Sequence, residues 1–186
     1  MLNVLKQHDA KARFFVMGNS IEPNASILKC MVNEGHAIGN HTMTHARFSD
    51  VNNGVLRSEI EGASHMIERT SSVVPYVLRT PFGVINAEAA NASRANGLGI
   101  VLWSIYPDES SYFASAASIT ERIVSSAMYG DILFPHDTSQ CSVEMAQFEL
   151  LGPSIKGFRF VTISELIKRH GELVPGATYE TAYTAE

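Results

Sequence analysis

The sequence predicts an α/β fold in which a parallel sheet is covered by helices. Three observations carry this. Short apolar runs alternate with amphipathic stretches along the chain, and such alternation gives parallel strands joined by crossover helices. No internal repeat or linker interrupts the pattern in the 186 residues. The reactive residues also fall just past the C-terminal ends of predicted strands, where parallel α/β folds build their sites.

The elements follow in order. Met1 to His8 reads as a helix with Leu2, Val4 and Leu5 on its apolar side and no N-cap residue before it. Arg13 to Met17 is a buried strand. Asn24 to Glu34 is helical through Ile27, Leu28, Met31 and Val32, and Gly35 stops it. His36 to Asn40 is the next strand, with His41 and His45 just beyond its end. Val55 to Arg69 is an amphipathic helix carried by Leu56, Ile60, Ala63 and Ile67. Tyr76 to Arg79 is strand-like, Ala87 to Asn96 helical, and Gly99 to Trp103 a strand. Ser118 and Glu121 form a capping-box pattern that opens a helix through Ile123, Val124 and Met128. Asp131 to Phe134 and Phe158 to Ile163 are the last strands, and Ser164 to His170 the last helix. The six strands fit an open sheet or a barrel. From Val174 the tail is small and polar, and it is expected to be poorly ordered.

Composition narrows the function classes. The chain is 45% hydrophobic and 18% charged, with formal charge −5, which suits one domain with a sizeable core. No basic excess points to nucleic acid. No run of about 18 apolar residues would span a membrane. The N-terminus lacks the pattern of a signal peptide. Cys30 and Cys141 read as reduced core cysteines.

His41 and His45 stand four apart, a spacing that lets two imidazoles chelate one ion. Taken alone, the spacing also suits two surface histidines, and no HExxH motif is present. His136 follows another strand, and Arg79 stands between a strand and Thr80-Pro81, where it is placed to orient a carboxylate. Asp108 and Asp137 are turn residues or acids of a site. His8, His36, His65 and His170 read as structural or solvent-facing. Two metal-holding histidines, a proton-donating histidine and an orienting arginine together suit metal-assisted hydrolysis of an amide or ester.

The motifs resemble those of the polysaccharide deacetylase family, the NodB-homology domain of carbohydrate esterase family 4. Lys11 to Val16 is similar to its K-A-T-F-F-V strand, and Glu34 to His45 to its E-G-H-x-I-G-N-H-S/T-x-x-H motif. Arg79 to Gly83 resembles R-x-P-Y/F-G, Asp131 to Asp137 the late L-x-H-D, and Gly157 to Leu166 the closing G-Y/F-x-F-V-T-L/I-x-E-L.

The resemblance implies a distorted (β/α) barrel over residues 1–173. It implies removal of N-acetyl groups from a chitin- or peptidoglycan-type glycan by a hydrolase acting on non-peptide C–N bonds. It also implies a divalent metal, zinc first, held by His41 and His45. By the same resemblance His136 is the general acid, the Phe82 N–H the oxyanion donor, Arg79 the orienter of the base, and Asp108 the support of the acid histidine. Family members mostly act outside the cytoplasm.

Two departures shape the expectations. The family's T-F-D-D motif, which supplies the base and the third metal ligand, is absent, and no Asp-Asp pair occurs in the sequence. Ala46 stands where the family usually has proline. The chain is therefore expected to lack the barrel's first strand and to self-associate through the edge so opened. Three expectations follow: a truncated or weakly active deacetylase, an inactive glycan-binding relative, or a protein in which Asp108, Asp137 or a partner chain supplies the carboxylate.

Overall fold

In a computed structural model, residues 1–107, 115–137, 143–144, 146–147, 157–169 and 171–182 are described. The strands are β1 (Arg13–Val16), β2 (Ala37–Asn40), β3 (Val77–Leu78), β4 (Gly99–Val101) and β5 (Thr178–Tyr179). They form one sheet in the order β1-β2-β3-β4-β5, with every pair parallel. The helices are α1 (Leu2–Gln7), α2 (Ala25–Asn33), α3 (Asn53–Ser71), α4 (Ala87–Ala95), α5 (Ala116–Ser126) and α6 (Ile163–Lys168).

Strands that follow one another without reversal, joined by right-handed crossovers, place their connecting helices on one face of the sheet. Here Leu78 and Ile100 point to that face and pack against Leu56 and Ile60 of α3, Ala89 of α4 and Leu98. The alternate residues Val77 and Val101 point the other way, to Ile132, Phe15 and Trp103. A third cluster joins Phe14 and Ile38 to Val4 and Leu5 of α1, Leu28 of α2 and Ile67 of α3. The period of two in the strands and the apolar stripe of α3 therefore meet as their patterns require. Side-chain oxygens fix where α3 and α4 begin: Asn52 accepts from the Val55 N–H at 3.0 Å and Asn86 from the Ala89 N–H at 2.8 Å.

The last part of the chain departs from the sequence reading. Asp131 to Phe134 is not a continuous strand; single bridges join Leu133 to Ile105 and Asp131 to Thr181. Phe158 to Thr162 forms no strand, and the last helix starts at Ile163, capped reciprocally by Thr162 and Glu165. The capping residue of α5 is Ser115, three residues before the expected Ser118, and its hydroxyl accepts from the Ser118 N–H. The described part of the tail is ordered. Thr178–Tyr179 pairs with β4, and Tyr179 is buried with its hydroxyl accepting from the Val174 N–H. A two-residue strand carries too little periodicity to show in sequence; burial of one aromatic ring decides it.

Candidate active site

The loop His41–His45 leaves β2 in a conformation that side chains disfavour. Thr42 and His45 both have φ 63°. Such non-glycine residues cost about 1–3 kcal/mol each and persist only where their surroundings fix them. Asn40, fully buried, donates to the Ile60 carbonyl and to Ser64, both at 2.8 Å, and accepts from the Thr42 N–H at 2.7 Å. The Thr42 hydroxyl accepts from the His45 N–H at 3.1 Å. Glu59 on α3 accepts from both the N–H and the hydroxyl of Thr44 at 2.7 Å. From the other side, Gly18 N–H and Asn19 N–H donate to the carbonyls of Thr42 and Met43. A Cβ on Gly18 would stand 2.3 Å from the Met43 sulfur and 3.1 Å from the Ala63 Cα, so the absence of a side chain eases the close approach of the two loops.

The loop brings the two imidazoles together, with ring centroids 4.8 Å apart. His41 Nδ1–H donates to the Arg79 carbonyl at 2.8 Å, which leaves Nε2 as the ring's free donor atom toward a ligand. Burial, ahead of the neighbouring cationic groups, lowers the His41 pKa to about 4. Burial, and then His136, also lowers that of His45. Both rings are therefore held toward the neutral form, which is the form that binds metals.

Arg79 is almost wholly buried. Its guanidinium donates to the carbonyls of Val101 and Leu102 and lies over the rings of Phe15 (4.2 Å) and Phe134 (4.6 Å). Burial lowers its pKa to about 9. Gly39 makes room for this packing, since a Cβ there would stand 2.7 Å from the Phe15 ring. Among the described residues no carboxylate pairs with Arg79.

Phe82, in the middle of the turn Pro81–Gly83, has φ 58° and is 54% exposed. Among the described residues no hydrogen bond uses its N–H. His136 is exposed and packs against Phe134 (4.7 Å) and Tyr106 (6.3 Å), while Phe134 stacks on Trp103 at 4.4 Å.

A cavity of about 1400 Å³ has His41, His45, Arg79, Phe82, His136 and Asp137 in its wall. Six residues read from sequence as site candidates thus line one space. Asp108 lies outside the described residues. Sequence reasoning missed Asn40, Glu59 and the aromatic rings around Arg79. The signal for Glu59 was present: it lies on the apolar face of α3 with Leu56, Ile60 and Ala63, where a charge is out of place unless paired.

A family model described as polysaccharide deacetylase matches residues 1–101. The chain belongs to the polysaccharide deacetylase family. A peptidoglycan-N-acetylglucosamine deacetylase of Bacillus cereus is 33% identical over 172 residues, covering 90% of this chain and 80% of that one. A second Bacillus cereus protein of the same description is 31% identical, and the matched region covers 92% of this chain but 64% of that one. The solved structure of a peptidoglycan N-acetylglucosamine deacetylase superposes with TM-score 0.82 at 31% identity, covering 88% of this chain and 78% of that chain. A T48 deacetylase solved with substrate gives TM-score 0.88 at 25% identity, covering 96% and 87%. The fold is accordingly the deacetylase-type α/β barrel, of which the five described strands are one continuous wall.

Membership of this family implies a divalent metal. The donor chemistry present meets that requirement in part. His41 and His45 supply two imidazoles from one rigid loop, and among the described residues no group of three metal-binding side chains is found. No described helix is long and apolar enough to cross a membrane.

Proposed function

We propose that this chain is a metal-dependent hydrolase that removes N-acetyl groups from a polysaccharide of the peptidoglycan or chitin type. One observation carries the reading: two half-buried histidines on a clamped loop, both held toward the neutral form, share a cavity with a free backbone donor and a third histidine. His41 and His45 would hold the ion, and zinc suits two imidazoles best. When bound, the ion polarises the acetyl carbonyl and acidifies a water. The Phe82 N–H donates to the carbonyl oxygen as it becomes an oxyanion. A carboxylate base takes a proton from the water as its oxygen bonds to the carbonyl carbon; the C–N bond then breaks, and His136 gives its proton to the leaving amine. Arg79 holds the His41 imidazole through its own carbonyl, and its cation favours a carboxylate base nearby. That carboxylate is Asp137, Asp108 or a residue of a partner chain.

Acetate release from chitooligosaccharides with added zinc tests the assignment against His41→Ala. Release is expected from the parent protein and not from the variant; equal release from both sinks it. Glycan binding without release from either protein identifies the inactive, glycan-binding alternative. Two imidazoles alone hold zinc weakly, so tight stoichiometric zinc binding would reveal a further ligand.

Pairing through β1 is a second part of the proposal. Among the described strands β1 pairs with β2 alone, so its outer edge offers unpaired backbone to a second copy. A monomer at all concentrations in sizing experiments would overturn this.

A further inference from the structure

Arg47 stands beside the histidine loop, and the deacetylase mechanism does not use it. It is exposed, and its guanidinium carbon lies 4.0 Å from the centroid of the Phe82 ring. That ring meets His45 at 4.8 Å with an interplanar angle of 62°. The His45 imidazole, the Phe82 ring and the Arg47 guanidinium therefore follow one another along the wall of the cavity. The left-handed backbone at Phe82, unusual for a bulky residue, sets the ring in this place.

A guanidinium lying on a ring by one face keeps its in-plane N–H donors. Among the described residues Arg47 makes no hydrogen bond through them and no ion pair. The nearest acid along the chain, Asp50, accepts from the Ser49 hydroxyl at 2.6 Å. Asp131, an acid elsewhere in the cavity wall, accepts from Ser104 and from the Met128 N–H. The stack also limits the rotamers of Arg47, which reduces the entropy that makes most exposed ion pairs weak.

We propose that Arg47, held on Phe82, reads a carboxylate on the sugar next to the one that is deacetylated. Arg47 is then a specificity determinant that favours acidic over neutral amino-sugar polymers. The inference rests on the deacetylase reading for the glycan itself. A planar carboxylate matches the guanidinium fork with two parallel hydrogen bonds. In such polymers it comes from an ether-linked lactyl group or from a uronic acid.

Calorimetric titration of the full chain with four probes separates these cases. The probes are chitotetraose, a tetrasaccharide alternating N-acetylglucosamine with N-acetylmuramic acid, the lactyl-amide form of that tetrasaccharide, and a tetrasaccharide alternating N-acetylglucosamine with glucuronic acid. The parent protein is expected to bind the lactyl acid, the uronate or both about fivefold to tenfold tighter than the lactyl amide. The acid with the larger gain names the source. Arg47→Ala should abolish the difference and leave chitotetraose affinity unchanged. Arg47→Lys should keep only part of it, because a point charge lacks the fork. Equal affinity of the parent for acids and amide overturns the inference. So does Arg47→Ala weakening chitotetraose as much as the acids, which would make Arg47 only a prop for Phe82. Chitotetraose binding without acid preference leaves the deacetylase-type glycan site standing; no binding of any probe overturns both.

Discussion

The loop after β2 and the segment after Ile132 deliver histidines to the same cavity by different means. His41 and His45 sit on a loop tied to α3 through Asn40 and Glu59, to the loop after β1 through Thr42 and Met43, and to Arg79 through the His41 ring. His136 stands on a segment joined to the sheet by the Ile105–Leu133 bridge, and its ring packs on Phe134 and Tyr106. One side is held by hydrogen bonds to buried groups, the other packs on aromatic rings at tilted and edge-on angles. The difference suits the roles proposed above: a pair of metal ligands must hold one geometry before the ion arrives, whereas a proton donor needs only to reach the leaving group.

Separating binding from proton transfer breaks this comparison most sharply. His136→Ala should lower acetate release by about 10²–10⁴-fold and leave zinc affinity in place. Equal loss of zinc affinity in this variant would make His136 a ligand instead.

Next in size is the clamp. Glu59→Ala leaves the Thr44 N–H and hydroxyl without their acceptor, and zinc affinity should fall about 10–100-fold. Glu59→Gln keeps one acceptor oxygen for the Thr44 N–H and should recover part of it. Stability without metal, followed in urea, should fall by only about 1–3 kcal/mol for the alanine variant. An unchanged zinc affinity would show that the loop needs no help from α3.

On the far edge of the sheet, Tyr179→Phe removes the acceptor of the Val174 N–H and should cost about 1 kcal/mol, whereas Tyr179→Ala should cost about 3–5 kcal/mol. Similar urea midpoints for both variants would show that β5 contributes little.

The smallest effect is on pH. His36 is buried and accepts from the Ala12 N–H through Nδ1. Burial first, and then Lys11, lowers its pKa, while Glu34 opposes them. The unfolded chain therefore takes up the proton more readily than the folded one. The folded state keeps this contribution above the ordinary histidine value of about 6.5 and loses it as pH falls below that. His36→Asn should lose less melting temperature than the parent between pH 8 and pH 5; parallel losses would remove His36 from the account.

The histidine motif, Arg79, Phe82 and His136 were legible in sequence because each follows a short apolar run, and the cavity does gather them. The apolar runs at 131–134 and 158–163 were read as strands on the same grounds, yet neither forms a continuous one. An apolar run shows that a segment is fit for a sheet; a partner at the right distance makes it a strand. Cys141, His170 and Asp108 lie outside the described residues, whereas Cys30 is a free thiol.

The sequence by itself determined the alternation of strands and helices, the strand ends near which the reactive residues fall, and the spacing that pairs His41 with His45. These are local properties, written in periods of 2 and 3.6 and in residue spacing. Tertiary structure alone decided that Glu59 holds the histidine loop, that Arg79 is wrapped in Phe15 and Phe134, that Tyr179 closes the sheet edge, and that Arg47 lies on Phe82. Each joins residues far apart in the chain, and only the packed fold sets the distance between them.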